Sequence, residues 1–261
     1  LPRLPRKDVI KLGILVGLTL AIRIVGIFIV VPYLIAWYLL WLASDRPQKR
    51  SQAPFFIFVR NLGLVFAVAW PVMLVWWPWA QLNPLLNPFK AAIQAANFNA
   101  NGDMSVFFDG NYHSVFHLPR SYMLKLILMT LPEFFFMAIV TGVVIAIFHQ
   151  SKNPAFTPKK AKIAFLIFTF VFPILMAVLF NPPQYDSYRR FLFLLPLLAI
   201  LSGLSLAAFF DSGIARGIKI ILGLPIVISL GFTAFDMYRL HPYQTVYFNR
   251  IPAGGLAEAA K

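Results

Sequence analysis

The sequence has no cysteine among its 261 residues. Disulfides, thiolate nucleophiles and Cys-ligated metal sites are therefore excluded. Charge is also scarce, since charged residues make up 12% of the chain, against about 25% in a typical soluble domain. Acidic residues are the rarest, with 9 Asp and Glu against 23 Lys and Arg. So little charge excludes an ordinary water-soluble globule.

Several catalytic motifs are absent as well. The chain has neither a glycine-rich phosphate loop, of the Walker or GxGxxG type, nor a GxSxG nucleophile elbow, which argues against nucleotide hydrolysis and serine-hydrolase chemistry. Its first residues, LPRLPRKDVIK, lack the regions of a secretory signal, and the chain begins with Leu1 rather than Met. We therefore expect a fragment of a longer protein or a processed chain.

Long apolar runs are what the sequence does contain, with 60% hydrophobic residues. A helix crosses a bilayer core in about 20 apolar residues, and the runs lie at 12–43, 62–79, 123–148, 163–180, 191–210 and 220–235. They are continuous, whereas a transmembrane β-barrel would show short alternating segments. Prolines 71, 132, 173, 196 and 225 each fall inside a run and are predicted to kink the helices without ending them. The predicted fold is all-α, a polytopic transmembrane helical bundle.

The distribution of basic residues predicts the topology. Lys and Arg concentrate in three connections, at 45–60, 150–162 and 211–219, which are therefore expected to be cytoplasmic. The segments 80–122, 181–190 and 236–261 are poorer in them and are expected to face the periplasm or lumen. If run 12–43 turns back near Arg23, the chain makes seven crossings; if it is one long tilted helix, six.

The net charge of +14 is attributed to the basic loops, which orient the helices and contact anionic lipid head groups. Membrane lipid is thus an expected partner and nucleic acid is not. The longest outer loop, 80–122, carries apolar residues at helical spacing, which predicts a short interfacial helix; they are Leu85, Phe89, Ala92, Ile93 and Ala96. The aromatic run WWPW at 76–79 ends its span, where an aromatic belt is expected.

Ionisable residues inside membrane spans are functional candidates because burying them in lipid is costly. Arg23, Lys125, Glu133 and Asp236 qualify. Lys125 and Asp236 lie near span ends, where they can reach the interface. Arg23 at a turn could bind a phosphate. For Glu133, proton handling and a structural hydrogen bond to a neighbouring helix are both open.

Two outer segments are dense in polar side chains. Asp109, His113 and His117 recur every four residues, as metal ligands on one helical face would, but Gly110 and Pro119 argue against a regular helix, and no metal site is predicted. The run NPPQYDSYRR at 181–190 could present Arg189 and Arg190 to a lipid phosphate, or it is a turn with interfacial anchors.

Five stretches, taken in order, resemble bacterial members of glycosyltransferase family 39. They are GLTLAIRIVGIFIVVPYL at 17–34, WPWAQLNPLLNPFKAAIQA at 77–95, VFFDGNYHSVFHLPRSYMLKLILMTLPE at 106–133, PPQYDSYRRFLFLLPLLAILSGL at 182–204 and RLHPYQTVYFNRIPAGG at 239–255. This family of phospholipid-carrier-dependent glycosyltransferases is related to protein O-mannosyltransferases and aminoarabinose transferases. The resemblance covers only the later half of the family's sequence.

The resemblance implies a polyprenyl-phosphate-linked sugar as donor and an inverting displacement at the outer membrane face, without a cofactor. Such a site needs a base, cations for the phosphate and an apolar groove for the lipid. The family's base is an aspartate in the first outer loop, upstream of this chain's start, so the catalytic residue here is unknown. The outer carboxylates Asp103, Asp109 and Asp186 match no acidic motif of the family.

Site residues follow from the matched motifs. Donor or phosphate binding is expected of Arg189, Asp186, Tyr185, Arg190, Arg23 and Arg120, and a cavity-shaping role of Pro119, Tyr122, Pro242, Tyr243, Tyr247 and Asn249. Arg190 stands where the family pattern has histidine, which is a departure from the motif.

Two functions follow from these observations. The first is the carboxyl-terminal membrane region of a glycosyltransferase of the bacterial inner membrane, which binds the lipid carrier and is inactive alone. The second is a non-catalytic structural subunit, derived from such an enzyme, that packs against other membrane protein subunits. An upstream acidic outer loop would favour the first.

Overall fold

The computed structural model describes residues 5–44, 53–96, 104–148, 156–184 and 187–255. The described residues are overwhelmingly helical, as the composition predicted, and one short hairpin accounts for their β-structure. The sequence indicated a single transmembrane domain. In the structure the contacts group into two compact units, one of residues 1–101 and 155–168 and the other of residues 102–154 and 169–261.

The first apolar run is divided into two helices. Helix α1 (Arg6–Ile22) ends where Arg23 adopts an extended conformation, a 3-10 turn follows at Ile24–Gly26, and α2 (Ile27–Ser44) continues. A single uninterrupted helix over 12–43 is therefore excluded. The break falls at Arg23, the position the sequence marked as a possible turn.

Helix α3 (Ala53–Val75) packs closely along α1. The contact runs through Gly13 and Gly17, a small-xxx-small pattern that allows helix backbones to approach in membranes. A Cβ added at Gly17 would lie 2.6 Å from the carbonyl oxygen of Ala69, and one at Gly13 would lie 2.8 Å from Cβ of Val68. The core of this unit forms around the same contact, with Val16, Leu20, Val65, Ala69 and Met73 buried.

The segment predicted to be an outer loop begins with α4 (Pro78–Leu82) and α5 (Leu86–Ala96). Helix α5 lies where the residue spacing predicted a short helix. Its buried side holds Asn87 and Pro88, while the apolar Phe89 and Ile93 are exposed. Nearby, Trp70 Nε1 donates a hydrogen bond to the carbonyl of Pro84 (3.1 Å).

The second unit opens with a β-hairpin that the sequence did not predict. Strands β1 (Ser105–Phe108) and β2 (Asn111–Ser114) pair antiparallel. Asp109 and Gly110 between them both have positive φ, 55° and 78°, as a two-residue type I′ turn requires. The four-residue spacing of Asp109, His113 and His117 therefore does not correspond to a helical face.

The predicted span 123–148 is broken in the middle. It forms α6 (Tyr122–Thr130) and α7 (Glu133–Phe148), with an angle of 99° between them. The prediction that Pro132 kinks one helix is wrong, because Pro132 lies between two helices. A proline cannot donate the backbone hydrogen bond that would continue α6.

The remaining helices are α8 (Pro158–Phe180), α9 (Leu194–Asp211) and α10 (Arg216–Arg239). Helix α7 packs against α9 and α10, and Gly142 of α7 allows Ser205 of α9 to approach closely. Prolines 71, 173 and 225 lie within helices, as predicted. Among the described helices, five are long and apolar enough to cross a membrane, or six if α6 and α7 are one span. The chain is a multi-pass membrane protein.

Candidate functional site

The turn between α8 and α9 lies against the start of α6. Asn181 Nδ2 donates a hydrogen bond to the carbonyl of Leu118 (2.8 Å). The 3-10 turn Ser187–Phe191 packs on α6, and Phe191 contributes to the same apolar cluster as Tyr122. Two stretches predicted as site motifs, 119–122 and 181–190, are therefore neighbours in the second unit.

This junction carries several arginines. Arg120 and Arg189 are exposed, while Arg190 is half-buried. The Arg190 guanidinium donates to the carbonyl of Pro183 (2.8 Å), which holds its side chain against the turn. Tyr185 and Asp186, predicted to bind the donor, lie outside the described residues, as does Asp103. The junction is electropositive and could hold a phosphate.

The same turn contains a buried amide that the sequence did not single out. Gln184 is only 4% exposed. Within the part of the chain that the structure describes, its side-chain oxygen has no hydrogen-bond donor. Burying an unpaired carbonyl oxygen is costly, so this atom departs from the usual satisfaction of buried polar groups.

Tyr122 supports the hairpin. It is buried and packs edge-on against Phe108 of β1, with ring centroids 4.9 Å apart. Lys125, one turn further along α6, makes an ion pair with Asp109 (2.8 Å). The predicted outer carboxylate Asp109 thus fixes the hairpin turn to α6. Among the described residues, no group of three His, Asp or Glu side chains is placed to hold a metal ion.

The carboxyl-terminal tail is fastened to the break between α6 and α7 by Asn249, which is fully buried. Its side-chain amide donates to the carbonyls of Leu128 and Leu131, and its backbone N–H donates to the carbonyl of Met129 (2.8 Å). Its side-chain oxygen accepts from the N–H of Ala253 (3.1 Å). Asn249 thereby satisfies carbonyls that the end of α6 leaves without helical partners.

Glu133 is bound by the tail as well. It is 8% exposed, and its Oε1 accepts hydrogen bonds from the backbone N–H groups of Arg250 (2.6 Å) and Ile251 (3.0 Å). Its Oε2 accepts from the hydroxyl of Ser229 on α10 (3.4 Å). The structure therefore provides the hydrogen bond to a neighbouring helix that was one of the two interpretations of Glu133.

Asp236 does not act as an isolated interfacial charge. Both of its carboxylate oxygens accept from the Arg250 guanidinium, at 2.8 and 2.6 Å. The same guanidinium lies over the ring of Phe232, 4.4 Å from its centroid. This pair joins the tail to the end of α10.

The two tail tyrosines differ in environment. Tyr247 is buried and Tyr243 is exposed. Burial raises the pKa of the Tyr247 hydroxyl above its usual value, because desolvation disfavours the phenolate. Pro242 is exposed in the turn that follows α10.

The first unit contains an apolar groove with a volume of about 700 Å³. The groove is lined by the 3-10 turn after α1 and by α2, α3 and α5, through Ile24, Ile27, Phe28, Val31, Pro32, Trp70, Pro88, Phe89, Ala92 and Ile93. Arg23 immediately precedes the lining residue Ile24 and is exposed. The sequence identified Arg23, and the resemblance implied an apolar groove for the lipid. The position of this groove was not predicted, since its walls come from segments up to about seventy positions apart.

Compared with protein-family models, with curated proteins and with solved structures, the chain has no match.

Proposed function

We propose that this chain is the membrane region of a polyprenyl-phosphate-dependent glycosyltransferase. In this proposal it binds the lipid carrier of the donor sugar on the non-cytoplasmic side of a bacterial inner membrane. The observation that carries the proposal is the apolar groove of the first unit, whose lining residue Ile24 directly follows the exposed Arg23 in the chain. The sequence resemblance described above is its second support.

The groove suits a polyprenyl chain because its lining is entirely apolar side chains and the carrier is a long branched hydrocarbon. Burial of apolar surface would supply the binding energy. An exposed arginine next in sequence to a lining residue suits the phosphate that ends such a carrier, because a guanidinium forms paired hydrogen bonds to phosphate oxygens.

In the second unit, taken by itself, we expect the arginine-bearing junction to bind phosphate. The exposed Arg120 and Arg189 supply positive charge there, which suits the negative charge of a leaving phosphate. Arg190, held by the carbonyl of Pro183, keeps the turn in shape. Tyr185 and Asp186 remain predicted contacts of the donor.

Sugar transfer also needs a base for the proton of the acceptor hydroxyl. Asp109 is engaged by Lys125, and Asp236 by Arg250. Asp103 and Asp186 lie outside the described residues and match no acidic motif of the family. Because the resemblance implies a base in a first outer loop that is not among the matched stretches, the proposal takes the base from outside this chain, and the chain alone is expected to bind carrier without transferring sugar.

A photoactivatable polyprenyl phosphate tests the proposal. In nanodiscs, the wild-type chain should be labelled on peptides of α2 and α5, and unlabelled polyprenyl phosphate should compete. Val31→Trp, which fills the groove, and Arg23→Gln should each reduce labelling about tenfold or more. Leu39→Trp is the matched control, because Leu39 is an exposed residue of α2 that does not line the groove.

Labelling that is equal in wild type and Val31→Trp would contradict a carrier site in the groove. It would favour the alternative, a non-catalytic subunit of a larger membrane complex. A second assay joins the chain to an upstream segment with an acidic outer loop and measures sugar transfer. Robust transfer by the chain alone would contradict the external base.

A further inference from the structure

The buried amide of Gln184 is the polar group that the fold leaves without a partner in the described chain. Gln184 lies between Asn181, which bonds to Leu118, and Arg190, which bonds to Pro183. The residues around it are thus used in the structure of the turn, whereas its own side-chain oxygen is not.

From this we infer that Gln184 is a binding residue for the sugar of the donor, a step that rests on the proposed function. A carbonyl oxygen only accepts hydrogen bonds, so its ligand must be a donor such as a hydroxyl. The same turn carries the exposed Arg189, whose guanidinium group suits phosphate oxygens. A group with both hydroxyl donors and a phosphate is a glycosyl phosphate.

The Gln184 oxygen is covered in this structure, so the ligand reaches it by displacing part of its cover. A single 3-10 turn, Ser187–Phe191, lies further along the same connection, and the hydrogen bonds of a 3-10 turn have poorer geometry than those of an α-helix. Movement of this turn gives the sugar hydroxyl access to the amide oxygen and carries Arg189 with it. In this inference Gln184 binds the sugar and Arg189 binds the phosphate.

If Gln184 binds the sugar, its replacement should reduce sugar binding without reducing the stability of the protein. A glutamine with an unpaired oxygen contributes little to the resting fold, so Gln184→Leu should have a melting temperature no lower than wild type. Asn249→Leu is the matched control, because Asn249 is another buried amide of the same unit whose polar atoms are paired. Its melting temperature should fall by several degrees.

Binding is measured by the shift in melting temperature of the full chain in nanodiscs. The probes are a decaprenyl phosphate without sugar and the same carrier bearing each of a panel of hexoses and pentoses. Wild type should be stabilised by the bare carrier and further by at least one loaded carrier. Gln184→Leu should keep the first shift and lose the sugar-dependent increment.

Four results would overturn the inference. Two concern binding by Gln184→Leu: the additional stabilisation by the sugar persists in this variant, or the stabilisation by the bare carrier is lost. The third is a wild type that is stabilised by the bare carrier and no further by any sugar-loaded carrier. The fourth is a melting temperature without ligand that falls in both Gln184→Leu and Gln184→Met. Leucine and methionine differ in shape, so a loss of stability in only one of the two variants indicates a packing defect of that side chain. A wild type that responds to no carrier would instead remove the proposed function, and this inference with it.

Discussion

Single polar residues, more than apolar ones, set the shape of the second unit. Asn249 was assigned a cavity-shaping role from the resemblance, and the structure gives it a definite task, closing the end of α6. In a bilayer, an unpaired backbone carbonyl has no water to replace the missing partner. One buried amide that bonds to carbonyls of two successive turns is therefore a strong constraint on where the tail lies.

Replacing Asn249 should be destabilising. Asn249→Leu removes the side-chain hydrogen bonds to Leu128, Leu131 and Ala253, and we expect a loss of about 2–4 kcal/mol in the free energy of unfolding, since buried groups are left unpaired. Unfolding in mixed detergent micelles measures it. Gln244→Leu, a half-buried tail amide that bonds to His241, should lose less than about 1 kcal/mol. Equal losses would contradict the role of Asn249.

The ion pair between Asp236 and Arg250 should contribute modestly. Its geometry is bidentate, but the arginine side chain is 39% exposed, and solvent screens such pairs. A double-mutant cycle of Asp236→Asn and Arg250→Gln should give a coupling energy of about 0.5–1 kcal/mol that falls in high salt. A coupling energy of zero at low salt would show that the tail is held by Asn249 and Glu133 alone.

At the scale of elements, the sequence predicted the helices well and marked the break at Arg23, but it missed the break at Pro132. Continuous apolar runs identify membrane helices because the bilayer imposes a minimum length. Whether a proline kinks or ends a helix depends on partners elsewhere, and Pro132 ends α6 where the tail supplies donors from residues 249–251. No local pattern around Pro132 contains that information.

The hairpin is different, because its signal was present. Asp109–Gly110 between apolar and aromatic residues is the usual sequence of a type I′ turn. Gly110 and Pro119 already argued against a helix through Asp109, His113 and His117, but the hairpin itself was not predicted.

Close packing of α1 on α3 makes Gly17 intolerant of substitution. In Gly17→Ala the new Cβ meets the backbone oxygen of Ala69 at 2.6 Å, so the helices must separate, at a cost of about 1–3 kcal/mol. Gly63→Ala on α3 is the control, since a Cβ there has no neighbour within 4 Å, and it should be neutral or slightly stabilising. The measurement is the thermal unfolding midpoint of both variants. Equal midpoints for Gly17→Ala and Gly63→Ala would exclude the tight contact between α1 and α3.

At the scale of the whole molecule, the absence of cysteine in this chain allows a direct test of topology. Tyr112→Cys, on the exposed face of the hairpin, should react with a membrane-impermeant maleimide added to intact cells. Gly213→Cys, between α9 and α10, should react only after the membrane is opened, because its loop is basic and is predicted to be cytoplasmic. The opposite labelling pattern would place the arginine-bearing junction on the cytosolic side and remove the basis of the proposed function.

The candidate site was only partly accessible from the sequence. Motifs 119–122 and 181–190 were predicted to share a site, and the structure makes them neighbours. The resemblance implied an apolar groove, but its position and the unpaired oxygen of Gln184 could not be predicted, since both depend on which side chains meet after folding. Apolar composition predicts that helices are buried in lipid, but it does not say where a cavity remains between them.

The fastening of α6 by Asn249 has a consequence for how the protein is made. Asn249 follows Leu128 by 121 residues, so at roughly 5–20 residues per second the ribosome delivers it about 6–24 s later. During that interval the carbonyl groups at the end of α6 lack the hydrogen bonds of Asn249. Newly inserted chains should therefore depend on contacts with a chaperone or the translocon at the break between α6 and α7. The fold of the second unit is thus complete only after residues 249–253 have been synthesised.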